Sequence, residues 1–359
     1  MGRAPYALKA AAHSLTLPFG ALPLPMIGTI AITNLDSTFV HAMLSVVEKR
    51  RCNATPARNI ERNSLMLQTL NTAQHSSFSS PKLASRFAYG RHAKIHSSTA
   101  LSLETIASVA PSVFAESAHE SRSARYAYIP TSQVLRGLMD HGFQPFFAVQ
   151  ATTRTAGNEG HTKHMLRLRH ADQIAKQSDD VNEVILINSH NGSSSYQMLA
   201  GCFRFVCQNG LICGTTTLDV RVKHAGASIM DDVIGGAFSV LDSFHALEES
   251  KDAMKSVQLT TAEQNAFARA ALAVRFETAE KEAPITPEQV ITPRRAADED
   301  NSLWTTFQRA QENLVQGGIR TTDRRRRTRT RAVRGIDGNV QLNRGLWVLA
   351  EEMRKLRST

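Results

Sequence analysis

The stretch "EVILINSHNGSSSYQMLAGCFRFVCQNGLICG", Glu183 to Gly214, decides the fold. Two apolar segments flank Asn191-Gly192, and Asn-Gly in that setting is the strongest short-range hairpin signal because both residues accept positive φ. "EVILINS" and "SSSYQMLAG" are therefore expected to be antiparallel neighbours. A competing pattern puts Tyr196, Leu199, Ala200, Phe203 and Cys207 on one helical stripe ending at Gly210. The hairpin is the preferred reading, with strand against helix left open over 199–208. On either reading Cys202 and Cys207 look like core filler. Arg204 stands among apolar neighbours and must pair with a carboxylate or face a groove.

Working outward, "HTKHMLRLRH" alternates strictly. His164, Leu166, Leu168 and His170 share one face, and Lys163, Met165, Arg167 and Arg169 the other, so one face is expected to pack and the other to be cationic. "QPFFAVQATTR" reads as a strand opening at a proline. "YIPTSQVLRGLMDHGF" predicts a helix with Thr131 as cap and Gly142 as stop. "SLETIASV" predicts a short helix from Ser102, ended or restarted at Pro111. "TTTLDVRVKH" predicts a strand with Arg221 and Lys223 outward.

Further along, "MDDVIGGAFSVLDSFHALEESKDAM" has apolar residues at helical spacing, and its Gly235-Gly236 points to close packing or a bend. Thr260 to Glu263 forms a capping box. "APITPEQVITPRR" reads as a proline-bounded linker. "NSLWTTFQRAQENLVQGG", with Asn301 as cap and Gly317 as stop, and "GNVQLNRGLWVLAEEMRKL" predict the last two helices. Strands in the middle with helices on both sides argue for an α+β fold around a central antiparallel or mixed sheet. The expected division is an extension over 1–64, a core domain over 66–280, a linker over 281–300 and a helical segment over 301–359. Met66 would be a sensible alternative start.

Of the 359 residues, 42% are hydrophobic and 21% charged, so a core can be buried. The formal net charge is +10. Eight arginines against Asp323 between Gly317 and Arg334 supply +7 of it, so the basic character is mostly one short loop, expected to be disordered. Four cysteines without a CxxC spacing fit a reducing compartment, hence the cytoplasm. No window approaches the ~18 apolar residues of a membrane span, so no membrane partner is expected.

The chemistry-bearing residue types give no established site. His161, His164 and His170 cluster in sequence and His190 sits at the hairpin turn, but a metal would need three or four ligands converging. Ser189-His190 and Ser193 to Ser195 lack GxSxG and a partner acid, and a turn is polar for conformational reasons alone. No catalytic residue, cofactor or metal is therefore assigned. The basic features carry the leading expectation, a nucleic-acid-binding surface favouring single strands, DNA or RNA. Arg122, Arg125, Lys163, Arg167, Arg169, Arg204, Arg221 and Lys223 would line it, and Tyr126 and Tyr128 would stack on bases. Arg324, Arg325, Arg326, Arg327, Arg329 and Arg331 would add contacts to phosphates without sequence preference. The alternatives are a hydrolase or nuclease using His161, His164 and His190, and a protein-interaction module. A homo-oligomer is left open.

At "NEVILINSHNGSSSYQMLAGCFRFVCQNGLICG" the sequence resembles a known family. With "RYAYIPTSQVLRGL", "GFQPF", "HTKHMLRLRH" and "GLWVLAEEMRKL", it is similar to the phage- and plasmid-associated proteins called domain of unknown function 932. The resemblance covers about 66 to 357. It implies a bacterial mobile element and carries over no catalytic residue. The helix and strand order is also similar to that of single-strand annealing proteins, a likeness at the level of fold.

Overall fold

The computed structural model describes residues 94–358, except 124–125, 177, 206–208, 215–218, 225–227, 277–282 and 323–327. The expected extension over 1–64 lies outside the described residues. Seven strands form one sheet: β1 (Lys94–His96), β2 (Phe143–Gln150), β3 (His164–His170), β4 (Asp180–Asn188), β5 (Tyr196–Arg204), β6 (Asn209–Ile212) and β7 (Val220–Val222). They lie in the order β1-β2-β3-β4-β5-β6, with β7 also on β5. Every pairing among them is antiparallel. Helices precede and follow the strands, so the fold is α+β.

The expected hairpin is there. Asp180 pairs with Arg204 and Ile187 with Gln197. Gly192 sits at the tip with φ +79°. The turn is longer than a two-residue loop, because 189–195 fold on themselves. Ser189 Oγ donates to Ser194 O at 3.2 Å and accepts from Ser194 N–H at 2.7 Å. Beyond Leu199 the chain stays extended to Arg204, which settles strand over helix there. Cys202 is fully buried, as expected, and Cys207 lies outside the described residues. The outer edge of β5 is shared, with Tyr196–Met198 taken by β7 and Gly201–Arg204 by β6.

The helices are α1 (Leu103–Val109), α2 (Thr131–Asp140), α3 (Ala171–Ile174), α4 (Ile229–Asp242), α5 (Phe244–Ser256), α6 (Thr261–Phe276), α7 (Pro287–Ile291), α8 (Leu303–Gln316) and α9 (Ile336–Ser358). Ser102 caps α1 by accepting from Thr105 N–H. The Thr260–Glu263 box caps α6. Gly142 and Gly317 close α2 and α8 at positive φ. Three details of the later helices differ from expectation. Ser302, not Asn301, caps α8. The stretch expected as one helix from Met230 breaks at Ser243 into α4 and α5. The proline-bounded "linker" contains α7, which opens on a Thr286–Gln289 capping box and buries Val290 in the core beside Ile285, two residues before the helix. Gly236 meets its expectation of close packing, since a Cβ there would overlap Met198 and Val220.

One sheet face presents Ala148, Leu166, Leu168, Val184, Leu186, Met198, Ala200 and Cys202 to the main helical core. The other carries Val149, Met165, Ile185, Ile187, Leu199 and Ile212, against which Ile336 and Val340 of α9 pack. Fully burying one such leucine or isoleucine contributes about 1.5–3 kcal/mol. Both faces are therefore covered, and the alternation in β3 does not separate an inner from an outer side.

Candidate functional site

That double coverage overturns the expected cationic face. Arg167 and Arg169 are only 5% and 3% exposed. Both turn to Glu183 of β4, which is fully buried. Arg169 Nε donates to Glu183 Oε1 at 2.9 Å, and Arg167 Nε lies 3.2 Å from Oε2 as an ion pair. Arg167 Nη2 also donates to Leu211 O. Its guanidinium fits where two glycines leave space. A Cβ on Gly210 would overlap Nη1, and one on Gly201 would come within 2.9 Å of Nη2.

Arg169 is held among three rings, 4.1 Å from the centroid of Phe146, 5.2 Å from Phe203 and 5.4 Å from Phe205. Phe146 reaches it because β2 shifts register between Pro145 and Phe147. A β-bulge adds a residue opposite one partner and re-aims a side chain. It also accommodates Pro145, which has no N–H to give a ladder. His96 stacks on Phe203 at 4.1 Å. Burial, with Arg169, Arg167 and Lys94 adding to it, pushes His96 down to about 4, so it is neutral at neutral pH.

The other expected contacts scatter. Lys163 Nζ pairs with Asp337 at the start of α9, 2.7 Å away. Arg204, expected to pair with a carboxylate or to face a groove, pairs with Asp298 at 2.6 Å rather than standing open to a polyanion. Arg221 on β7 and Lys223 just past it are exposed, outward as expected. Arg122 lies over Gly192, and Arg125 lies outside the described residues. Tyr126 and Tyr128 are half-buried rather than open stacking platforms. His224 covers a ring face of Tyr126 at 4.5 Å, and Tyr128 meets His190 edge-on at 5.1 Å. The hydroxyls of Tyr126 and Tyr128 donate to the carbonyls of Ser189 and Ala115.

The histidines converge on a hydroxyl that sequence reading treated as a helix cap. Pro130, not Thr131, stands at the N-cap of α2. The Thr131 side chain is fully buried instead, and its Oγ1 lies 3.0 Å from His164 Nε2, His190 Nε2 and Asn188 Nδ2. Asn188 can only donate there. His164 Nδ1 lies 2.9 Å from Ser112 Oγ and 3.3 Å from the Thr162 carbonyl. Thr131 has one proton to give, so it donates to one of the two imidazoles and the other ring donates to it. His224 Nε2–H donates to Asn188 Oδ1 at 2.8 Å.

Burial pushes His164 down to about 3 and His190 to about 4, and it lowers His224 as well. These are neutral hydrogen-bonding groups that pin the 189–195 turn to α2. His161 binds the same turn through its carbonyl, which accepts from His190 N–H and Asn191 N–H at 3.1 Å. Among the described residues no group of three His, Cys, Asp or Glu side chains is placed to hold a metal ion.

A group of exposed arginines lies elsewhere, on and just beyond a two-stranded ribbon. Arg320 and Arg329 form an antiparallel bridge. Thr321 N–H donates to Thr328 O at 3.1 Å, and Thr330 N–H to Ile319 O at 2.8 Å. Thr322 N–H ties the ribbon to Pro284 O at 2.8 Å. Arg320, Arg329, Arg331 and Arg334 are exposed. Arg324, Arg325, Arg326 and Arg327 fall between the paired ends and outside the described residues. The expected loop therefore has hydrogen-bonded flanks, and alternating Thr and Arg supply the pairing.

The family model described as domain of unknown function (DUF932) matches residues 118–347. The chain belongs to this family. Two Escherichia coli (strain K12) relatives, UPF0380 protein YafZ and UPF0380 protein YfjQ, are each 52% identical to it over 273 residues. Each alignment covers 76% of this chain and 97% of the relative. No solved structure matches. Among the described residues of this DUF932 chain no helix is long and apolar enough to cross a membrane.

Proposed function

We propose that this DUF932 protein is a nucleic-acid-binding accessory factor of a mobile element, and that it grips phosphates through the arginine ribbon at 318–334 rather than through the sheet. The observation that carries this reading is the hydrogen-bonded ribbon with Arg320, Arg329, Arg331 and Arg334 exposed around a sequence of four further arginines. Guanidinium groups on a backbone-paired scaffold neutralise phosphates and release condensed counterions without reading bases. Arg221 and Lys223 are exposed as well and are available to a polyanion. With the sheet arginines buried and Tyr126 and Tyr128 packed against His224 and His190, the ribbon's phosphate contacts set no preference between single and double strands. The phage and plasmid setting follows from the family resemblance. A cytoplasmic location fits the free thiols Cys202 and Cys213.

Fluorescence anisotropy of the full chain with single- and double-stranded oligonucleotides at several salt concentrations tests this. The log–log salt slope is expected to fall by about 2 for a single strand when Arg329, Arg331 and Arg334 are all changed to Gln, from ~0.7 per phosphate contact. No binding at low salt, or a slope unmoved by the triple variant, would overturn the proposal.

A further inference from the structure

The buried ion cluster does not balance. Arg167 and Arg169 bring two positive charges, and among the described residues Glu183 is the carboxylate that pairs with either. Arg169 Nη2 is buried and has no hydrogen-bond partner. Phe146, Phe203 and Phe205 lie around this guanidinium, and ring faces offset only part of an uncompensated charge.

Arg169 also lines a cavity of about 360 Å³, within the ~300–1,000 Å³ of small-ligand pockets. Its polar side includes Arg169, Lys176 and Thr99, and its apolar side Phe146, Ile174 and Phe205. Among the described residues three large hydrophobic side chains are markedly exposed, and two of them, Ile174 at 45% and Phe205 at 43%, line this cavity. Excess buried positive charge and open apolar surface therefore meet in one concavity. The ligand that answers both is an anion carried on a flat ring.

We propose that this cavity is a binding site for a nucleotide unit, its phosphate held by Arg169 and Lys176 and its base lying against Phe205 and Ile174. The site stands whether or not the ribbon grips nucleic acid. It accepts the same chemistry from two sources, a free mononucleotide or a phosphorylated strand end. Phosphate supplies the missing negative charge as charge-assisted hydrogen bonds. The base replaces water over Phe205, a contact that tolerates any base because every base has a π face.

Isothermal titration calorimetry on the full chain tests this with AMP, GMP, CMP and UMP, the matching nucleosides, inorganic phosphate, and a short 5′-phosphorylated oligonucleotide with its unphosphorylated counterpart. Saturable binding of at least one mononucleotide is expected, at least about tenfold tighter than its nucleoside or phosphate alone. Phe205→Ala, at a position 43% exposed, should weaken it about fivefold or more. Lys176→Ala should weaken the phosphorylated ligands and leave the nucleosides unmoved. Competition between mononucleotide and 5′-phosphorylated strand would assign the strand end as a second source, and its absence the free nucleotide. No saturable binding of any mononucleotide at millimolar concentration overturns the proposal. So does binding that Phe205→Ala and Lys176→Ala both leave unchanged. Because neither variant touches the ribbon, loss here and loss of the anisotropy signal are separable.

Discussion

Arg167 and Arg169 stand on a strand, in a sheet covered on both faces, and share one carboxylate. Arg331 and Arg334 stand in and beyond a two-stranded ribbon and are exposed. The side chain is the same and the physics is opposite. Inside, the guanidinium organises its surroundings: two glycines make room for one, a bulge delivers a phenylalanine to the other, and a buried glutamate joins them. Outside, the guanidiniums attract whatever polyanion reaches them. Counting arginines therefore says little about a binding surface until the partner of each is known.

The sharpest way to break this contrast is Glu183→Gln, which keeps the shape and removes the charge. Two buried arginines would then face no carboxylate, and a loss of about 3–5 kcal/mol of stability is expected in urea unfolding. A loss below about 1 kcal/mol would mean that the guanidiniums are already neutralised by something other than Glu183.

Acidification tests the buried histidines in the same spirit. In the folded protein His164 and His190 are held down to about 3 and about 4, below the ~6.5 of an unfolded chain. The unfolded state therefore binds more protons as pH falls through that window, and stability is lost there and regained as pH rises. From about pH 8 to about pH 5.5 each histidine should remove roughly 1.4 kcal/mol, so about 3 kcal/mol together. Chemical denaturation at a series of pH values reads this. A flat profile across that window would place those rings in contact with water.

The smallest expected effect completes the comparison. Arg331→Gln or Arg334→Gln should change stability by no more than about 0.5 kcal/mol, as exposed substitutions do. A much larger loss in thermal or urea unfolding would make those arginines structural, like their counterparts on β3.

Much of the fold was legible because its signals are local. Asn191-Gly192, the Ser102 cap, the Thr260–Glu263 box and the Gly142 and Gly317 stops each act within a few residues of themselves. What was not legible depends on distant chain. The alternation in β3 is real, but only α9, more than 160 residues later, covers the second face and turns an apparent outer side into an inner one. Thr131 resembles a helix cap locally, and its histidine partners arrive from β3 and the 189–195 turn. The bulge at Phe146 has no signal beyond the proline before it. Arg204 lies between the two cases: a single cation among apolar residues called for a carboxylate or a groove, and only the distant Asp298 decides for the carboxylate.

The fit of Arg167 over Gly201 and Gly210 has an evolutionary corollary. A shorter residue at 167 would leave a hollow above Gly210, and a larger one at 210 would overlap the guanidinium, whereas a larger one at 201 would meet Ile185 as well. Positions 167 and 210 should therefore drift as a linked pair across relatives: arginine with glycine, or a small apolar residue with a bulkier companion.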